Sequence, residues 1–332
     1  FPFQHERSED AAPVPEGFEV AIIGAGPAGI SMAVQLERLG IPYVLYDRRS
    51  EIGGTWSIHK YPDIRVDTLS ITYEFSFEDE YPWSEYFARG EEVRTYLEFI
   101  SKKYGVHEHT RLGHDLEDAR FDDESLTWHL TFQGPDGERV ERDVNMVVSA
   151  AGVFAKTKLP DIDGIDEFEG TIVHPTQWTS ELDVQGKRVA VIGNGSTGVQ
   201  LMAPVAEKAE HLSVFQRTPQ WIAPRPNYGR PVEPEVRWLL DNLPGYWNWS
   251  RYTSIIGLMT WHEDFLVPDP EWEKKGGHIT KKSEDLREFL VGYIKEQVGD
   301  RPDLLEKLVP DYAPMVRRPV VDNNWYNSLT RD

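Results

Sequence analysis

Glu19-Val-Ala-Ile-Ile-Gly24-Ala-Gly26-Pro27-Ala-Gly29 opens the ordered part of the sequence, and Arg188-Val-Ala-Val-Ile-Gly193-Asn-Gly195-Ser196-Thr197-Gly198 repeats its design. In both, a short apolar run precedes a G-x-G-x-x-G turn, and a helix-forming stretch follows. One such fingerprint is a weak signal. Two in the same local context predict two Rossmann-like units and two bound dinucleotides. A chain holding two dinucleotides is expected to pass electrons between them, from a nicotinamide to a flavin.

The first unit is read outward from Gly24. Residues 19–23 predict a buried strand and 43–46 the next one. Residues 27–39 predict a helix, with Pro27 in the first turn, where a missing N–H costs nothing, and Gly40 as its stop. Gly24, Gly26 and Gly29 let backbone approach a pyrophosphate, and the helix N-terminus supplies N–H groups and partial positive charge. Asp47 lies 23 positions after Gly24, where a carboxylate accepts hydrogen bonds from ribose hydroxyls. The plainer alternative is a tight turn in a generic α/β protein, with Asp47 a solvated strand end.

The second unit differs at the informative place. Arg217 stands 24 positions after Gly193, following a strand over 212–215. A guanidinium there grips a 2′-phosphate and gains nothing from a bare ribose hydroxyl. Thr218 adds a hydroxyl donor. The expected nucleotide is therefore NADPH. An exposed loop arginine is the alternative.

Between and after these units the pattern changes. Residues 1–16 read as a flexible lead-in, and 50–90 as irregular and aromatic-rich. Residues 91–104 predict an amphipathic helix closed by Gly105. From 111 to 148 the period becomes two, with 126–132 and 139–148 flanking the turn Gly134-Pro-Asp-Gly137. Residues 228–312 read as a helical insertion rich in Trp and acids. The expected fold is α/β: an FAD-binding domain over 17–155, an NADPH-binding domain over 156–227 and 313–332, an antiparallel β insertion, and the helical insertion.

Composition narrows the function. A net charge of −21 argues against nucleic acid and against an anionic membrane surface. The absence of cysteine removes disulfides, thiolate metal sites and any redox-active C-x-x-C pair. No apolar run reaches the roughly 18 residues of a transmembrane helix, and no signal peptide is visible. Phe1 in place of Met suggests processing or a fragment. These features fit a cytoplasmic protein and allow a homodimer. No metal site is expected. His107, His109 and His114 sit in polar contexts and read as solvated. Asp122-Asp123 and Glu91-Glu92 read as a loop and a helix first turn. The Trp and Tyr residues of 238–261 read as helix packing or as pocket lining.

Other segments carry a resemblance. Phe168-Glu-Gly170-Thr-Ile-Val-His174-Pro-Thr-Gln-Trp178-Thr179 resembles the F-x-G-x-x-x-H-x-x-x-W fingerprint of type I Baeyer–Villiger monooxygenases. Gly53-Gly54-Thr55-Trp56 resembles that family's loop near the flavin, and Tyr61-Pro-Asp63-Ile-Arg65-Val-Asp67 its Y-P-G-x-R-x-D segment. Arg317-Arg318 ahead of Trp325-Tyr326 is similar to its Lys-Arg pair. Gln220-Trp-Ile-Ala-Pro-Arg-Pro-Asn-Tyr228 most resembles the hydroxyacetophenone branch. The sequence departs from the family in having Asp47 for the usual Glu, Asp63 for Gly, Thr179 for Pro or Asp, and Arg317 for Lys. It also stops before the family's C-terminal completion of the FAD domain, so a longer native protein is expected.

The resemblance implies an FAD- and NADPH-dependent enzyme that inserts one oxygen atom of O2 beside a ketone carbonyl, by way of a C4a-peroxyflavin, to give an ester or lactone. It makes Arg318 the fixed cation of the reaction and Asp67 its partner. It places Gly54, Thr55, Trp56, Asp67 and Arg317 with the cofactor-binding residues, and makes Phe168, Gly170, His174 and Trp178 a hinge. Taken as a residue alone, Arg318 is a surface cation beside Arg317, and His174 a packing residue of the linker. Three other functions share the cofactors: an N- or S-oxygenating monooxygenase, an NADPH oxidase or reductase without organic substrate, and a cofactor-sensing module.

Overall fold

The computed structural model describes residues 12–154, 157–259, 264–277 and 279–331, so the expected lead-in lies outside the described residues as far as residue 11. The chain forms two compact units. Unit 1 comprises Phe1–Lys60, Phe75–Tyr81 and Gly90–Trp178; unit 2 comprises Tyr61–Glu74, Pro82–Arg89 and Thr179–Asp332.

Unit 1 is built on a parallel sheet. Strands β1 (Val20–Ile23), β2 (Tyr43–Asp47), β3 (Thr110–Leu112) and β7 (Met146–Ser149) lie in the order β3-β2-β1-β7. Val20 pairs with Tyr43 on one side and Met146 on the other. Burial on both faces explains the continuous apolar run of β1. Helix α1 (Pro27–Leu39) crosses from β1 to β2 and ends at Gly40, whose φ of 63° lets its N–H reach the carbonyls of Glu37 and Leu36. Helix α2 (Thr55–Ile58) is a single turn, and helix α3 (Gly90–Lys103) carries the expected amphipathic pattern, with Val93, Tyr96, Leu97 and Ile100 buried.

The antiparallel insertion is a meander of β4 (Asp115–Asp122), β5 (Thr127–Gln133) and β6 (Arg139–Val144). Its inner face supplies Leu130, Phe132 and Val144, which bury Ala21 and Tyr46 of the parallel sheet. The alternating run 139–148 divides into two strands, and its apolar end is β7, which returns to the parallel sheet beside β1. Asn145 breaks it: its Oδ1 accepts from Glu19 N at 3.0 Å, and its own N–H donates to Glu19 O at 3.1 Å. The chain there leaves the meander and enters the parallel sheet as β7. Period alone cannot reveal the break, because both halves are extended.

Unit 2 repeats the βαβ step with β8 (Arg188–Ile192), α4 (Ser196–Ala206) and β9 (His211–Phe215), the two strands paired in parallel. A second small parallel pair joins β10 (Ile222–Ala223) to β11 (Val320–Val321). Helices α5 (Pro234–Asn242) and α6 (Tyr246–Met259) follow, and the chain continues through helices Pro270–Glu273, Lys281–Val298 and Pro302–Leu308.

Two of these helices are core rather than appendage. Leu290, Ile294 and Val298 pack with Leu308 against Val199 and Met202 of α4, Ile222 of β10, and Trp325 and Tyr326. Burying each such side chain contributes about 1.5–3 kcal/mol, so the later part of the helical stretch stabilises the nucleotide-type unit itself. The aromatic segment divides. Trp247 is buried and donates to Glu74 Oε2 at 3.2 Å, whereas Trp238 and Trp249 are each 62% exposed.

Candidate functional site

The glycine turn of unit 1 is a set of close backbone approaches. A Cβ on Gly24 would lie 2.3 Å from the Ala150 carbonyl oxygen, and one on Gly29 would lie 1.9 Å from the Gly24 oxygen. Only glycine fits either place. Gly26 caps α1, and Pro27 begins it. Gly54, with φ 56°, stacks its backbone on the turn, since a Cβ there would sit 2.7 Å from Gly26 Cα. Gly53 N donates to Ala25 O at 2.9 Å. The structure thus brings the Gly53-Gly54-Thr55-Trp56 loop onto the Gly24–Gly29 turn.

Asp47 is tied to the same turn. Its Oδ2 accepts from Ala25 N at 2.7 Å and its Oδ1 from Arg49 N at 2.8 Å. An ionised carboxylate accepts at about four lone-pair positions, so these two bonds aim the group and leave capacity for sugar hydroxyls. This cradle of bare backbone, helix N-terminus and oriented acid fits the pyrophosphate and ribose of a dinucleotide.

The second turn has the same logic with more room. Gly193 (φ 113°) donates its N–H to Phe215 O at 2.9 Å, and Gly198 packs on the Gly193 carbonyl, where a Cβ would come within 2.3 Å. Gly195 caps α4, and Ser196 and Thr197 are its first two residues. Arg217 is exposed just past β9, with Thr218 half-buried beside it. Asn194, which motif spacing does not distinguish, donates to both neighbours of Arg217.

Residues 61–67 belong to unit 2 and are held there by a buried network. Gln200 of α4 accepts from Tyr61 Oη at 3.0 Å and donates to Arg65 O at 3.1 Å. The Arg65 guanidinium is almost wholly buried. It pairs with Asp63 and Glu85 and lies 5.2 Å from the centre of the Tyr228 ring. Burial disfavours its charge, but the two carboxylates outweigh that and hold its pKa above the ordinary value. Burial pushes the Tyr61 and Tyr228 hydroxyls up, so both stay protonated. Asp322, also buried, is raised to about 6, first by burial and also by Asp63, against the N–H groups of Asn324 and Trp325.

At the end of this segment Asp67 meets Arg318, Nη2 to Oδ2 at 2.9 Å. Asp67 is half-buried and Arg318 exposed. Arg317 turns the other way, its guanidinium 4.4 Å from the Tyr312 ring centre. Trp325 and Tyr326, by contrast, are buried core. The segment 220–228 is also mostly structural: Trp221 donates to Tyr312 O at 2.8 Å and Arg225 N to Asn323 Oδ1 at 2.8 Å.

In unit 1, His174 caps the short turn Pro175–Gln177, its Nδ1 accepting from Thr176 N at 3.3 Å. The same nitrogen lies 2.8 Å from Thr176 Oγ1. Gly170 is open to the Phe168 ring, whose atoms lie 2.5 Å from where a Cβ would stand. Trp178 is half-buried. A cavity of about 350 Å³ in unit 1 is lined by Glu19, Tyr46, Arg111, His114 and Arg142 among others, none of them in a glycine turn. Among the described residues no helix is long and apolar enough to cross a membrane, and no cluster of His, Asp or Glu could hold a metal.

Residues 18–240 match the family described as pyridine nucleotide-disulphide oxidoreductase. An uncharacterized monooxygenase of Sinorhizobium fredii, y4iD, is 36% identical over 97% of this chain and 48% of its own length. A Baeyer-Villiger monooxygenase of Pseudomonas aeruginosa is 31% identical over 94% of this chain and 56% of its own. Among solved structures, OTEMO in complex with FAD and NADP superposes with a TM-score of 0.76 at 28% identity, over 95% of this chain and 64% of that one. The chain spans about half the length of the curated relatives it matches.

Proposed function

The chain belongs to the pyridine nucleotide-disulphide oxidoreductase family, and from that premise we propose that the protein is a flavin-dependent Baeyer–Villiger monooxygenase using FAD and NADPH to turn a ketone into an ester or lactone. The observation that carries this is the Arg318–Asp67 ion pair, which joins residues 251 positions apart. The family's disulphide chemistry is closed to these 332 residues, which contain no cysteine.

Bound FAD would supply the activation of O2, with NADPH as the reductant; the protein's own groups bind and orient. Gly24, Gly26, Pro27 and Gly29 offer the backbone and helix N-terminus that take the FAD pyrophosphate. Asp47 takes its ribose, and Gly54, Thr55 and Trp56 close the loop over that turn. Gly193, Gly195, Ser196, Thr197 and Gly198 do the same for NADPH. Arg217 and Thr218 hold the 2′-phosphate, and Arg317 adds a second cation. Arg318 presents a guanidinium, a fixed cation with donors only. It therefore offers a permanent positive charge to the negative oxygen that oxygen insertion must pass through. Asp67 orients that guanidinium. We assign Phe168, Gly170, His174 and Trp178 to a hinge.

For substrate we propose aryl ketones, on the likeness of residues 220–228 to the hydroxyacetophenone branch. The test is product analysis of the intact holoenzyme with acetophenone, with cyclohexanone, and with a sulfide and an amine. Phenyl acetate as the preferred product supports the reading. Sulfide or amine oxidation with no ester from either ketone defeats it.

A further inference from the structure

Asn194 fills the first variable position of the second glycine turn, and it is 8% exposed. Its Nδ2 donates to Gln216 Oε1 at 2.9 Å and to Thr218 O at 2.8 Å. A carbonyl oxygen can only accept, so the atom facing Thr218 is the amide nitrogen, and the orientation of the side chain follows. Gln216 in turn donates through Nε2 to Lys307 O at 2.9 Å, on helix Pro302–Leu308. Phe215 accepts from Gly193 N at 2.9 Å. Residues 215, 216 and 218 are therefore tied down. Arg217, between them, is exposed.

We infer that Asn194 is a positioning residue for nucleotide selectivity: by fixing both neighbours of Arg217 it pre-arranges that guanidinium for a 2′-phosphate. This rests on the assignment of Arg217 to the 2′-phosphate under the proposed function. A guanidinium on a loose loop must order its backbone when it binds, and that ordering subtracts from affinity. Here the ordering is done before the ligand arrives. The chemistry also explains the residue type. Two donors on a short stem reach both partners at once. Aspartate has no donor and would set a negative charge against the Thr218 carbonyl. The pyrophosphate is treated differently, because the backbone of the turn holds it and the Gly193–Phe215 and Gly198–Gly193 contacts keep that backbone in place without Asn194.

The experiment is calorimetric titration of the intact holoprotein with 2′,5′-ADP and, separately, with 5′-AMP. Asn194→Ala should weaken 2′,5′-ADP about tenfold and leave 5′-AMP within about twofold, the scale of losing buried hydrogen bonds that order a charged group. Gln216→Leu, which removes one acceptor of Asn194 and the tie to Lys307, should move the same ratio by a smaller factor. A purely structural role would weaken both nucleotides together. That result, or an unchanged ratio in both variants, overturns the inference. Arg217→Ala separates the two levels. If it leaves discrimination intact, the assignment of Arg217 falls and this inference with it. If discrimination depends on Arg217 but on neither Asn194 nor Gln216, only the inference falls.

Discussion

Gln200 touches the 61–67 segment at two points, accepting from the Tyr61 hydroxyl at 3.0 Å and donating to the Arg65 carbonyl at 3.1 Å. The helix that starts at the second glycine turn is thus the support for the segment that ends in Asp67. Replacing the amide by an apolar group of similar size removes both bonds inside the core. Gln200→Leu should cost about 1–3 kcal/mol of unit 2 stability, read from urea denaturation. Combining it with Tyr61→Phe should cost less than the sum of the two, and strict additivity would show that the pair is not coupled.

Arg318→Ala should leave anaerobic reduction of the flavin by NADPH near its normal rate while ester formation drops by at least about a hundredfold, the usual scale for losing one stabiliser of developing charge. Asp67→Asn keeps the shape but removes the countercharge, so its loss should be smaller. Rapid-mixing absorbance and product analysis read the two steps separately. A ketone oxygenated at the normal rate by the alanine variant would remove Arg318 from the chemistry.

Arg217→Ala should weaken NADPH by roughly 1.5–3 kcal/mol, the size of a charge-assisted hydrogen bond, with NADH affected far less. Equal Michaelis constants before and after, for both nucleotides, would contradict the assignment.

Asp322 makes unit 2 sensitive to pH in a defined direction. Its folded pKa is raised from the ordinary 3.8 to about 6, so folding favours the protonated form. Its contribution is intact below about pH 4 and is lost as pH rises through about 6. Asp322→Asn keeps an acceptor for the Asn324 and Trp325 N–H groups and removes the buried charge. The variant should gain roughly 2–3 kcal/mol above pH 6 and nothing below pH 4. Denaturation midpoints at pH 4 and pH 7.5 check this, and an equal shift at both would refute it.

Gly54→Ala should loosen flavin retention. The added Cβ meets backbone 2.7 Å away, and the φ of 56° suits no side chain well. The purified variant should hold a smaller fraction of its flavin than the parent, measured by the ratio of flavin to protein absorbance. Full occupancy would mean that the 53–56 loop does not need its contact with the turn.

The sequence shows some of this plainly. A strand, a glycine turn and a helix leave local signatures, so the elements around Gly24 and Gly193 are legible, and so are the Gly40 stop and the meander turn at 134–137. What it hides is non-local. Nothing in the alternation of 139–148 marks Asn145 as the point where the chain changes sheets, because the cause is a bond to Glu19. The helical pattern of 281–308 shows an apolar face but not what covers it, so core helices read as an insertion. Asn194 and Gln200 carry no motif, because each acts through partners that only folding brings near. Arg318 and Asp67 became visible as a pair through resemblance, while the structure supplies their 2.9 Å approach.

The burial of Leu290, Ile294, Val298 and Leu308 beneath α4 bears on how this protein can be re-engineered. Exchanging the whole stretch after Tyr228 with that of a relative would strip the floor from α4, the helix that starts at the second glycine turn. Chimeras should graft α5 and α6 alone, and leave Lys281–Val298 and Pro302–Leu308 in the recipient scaffold.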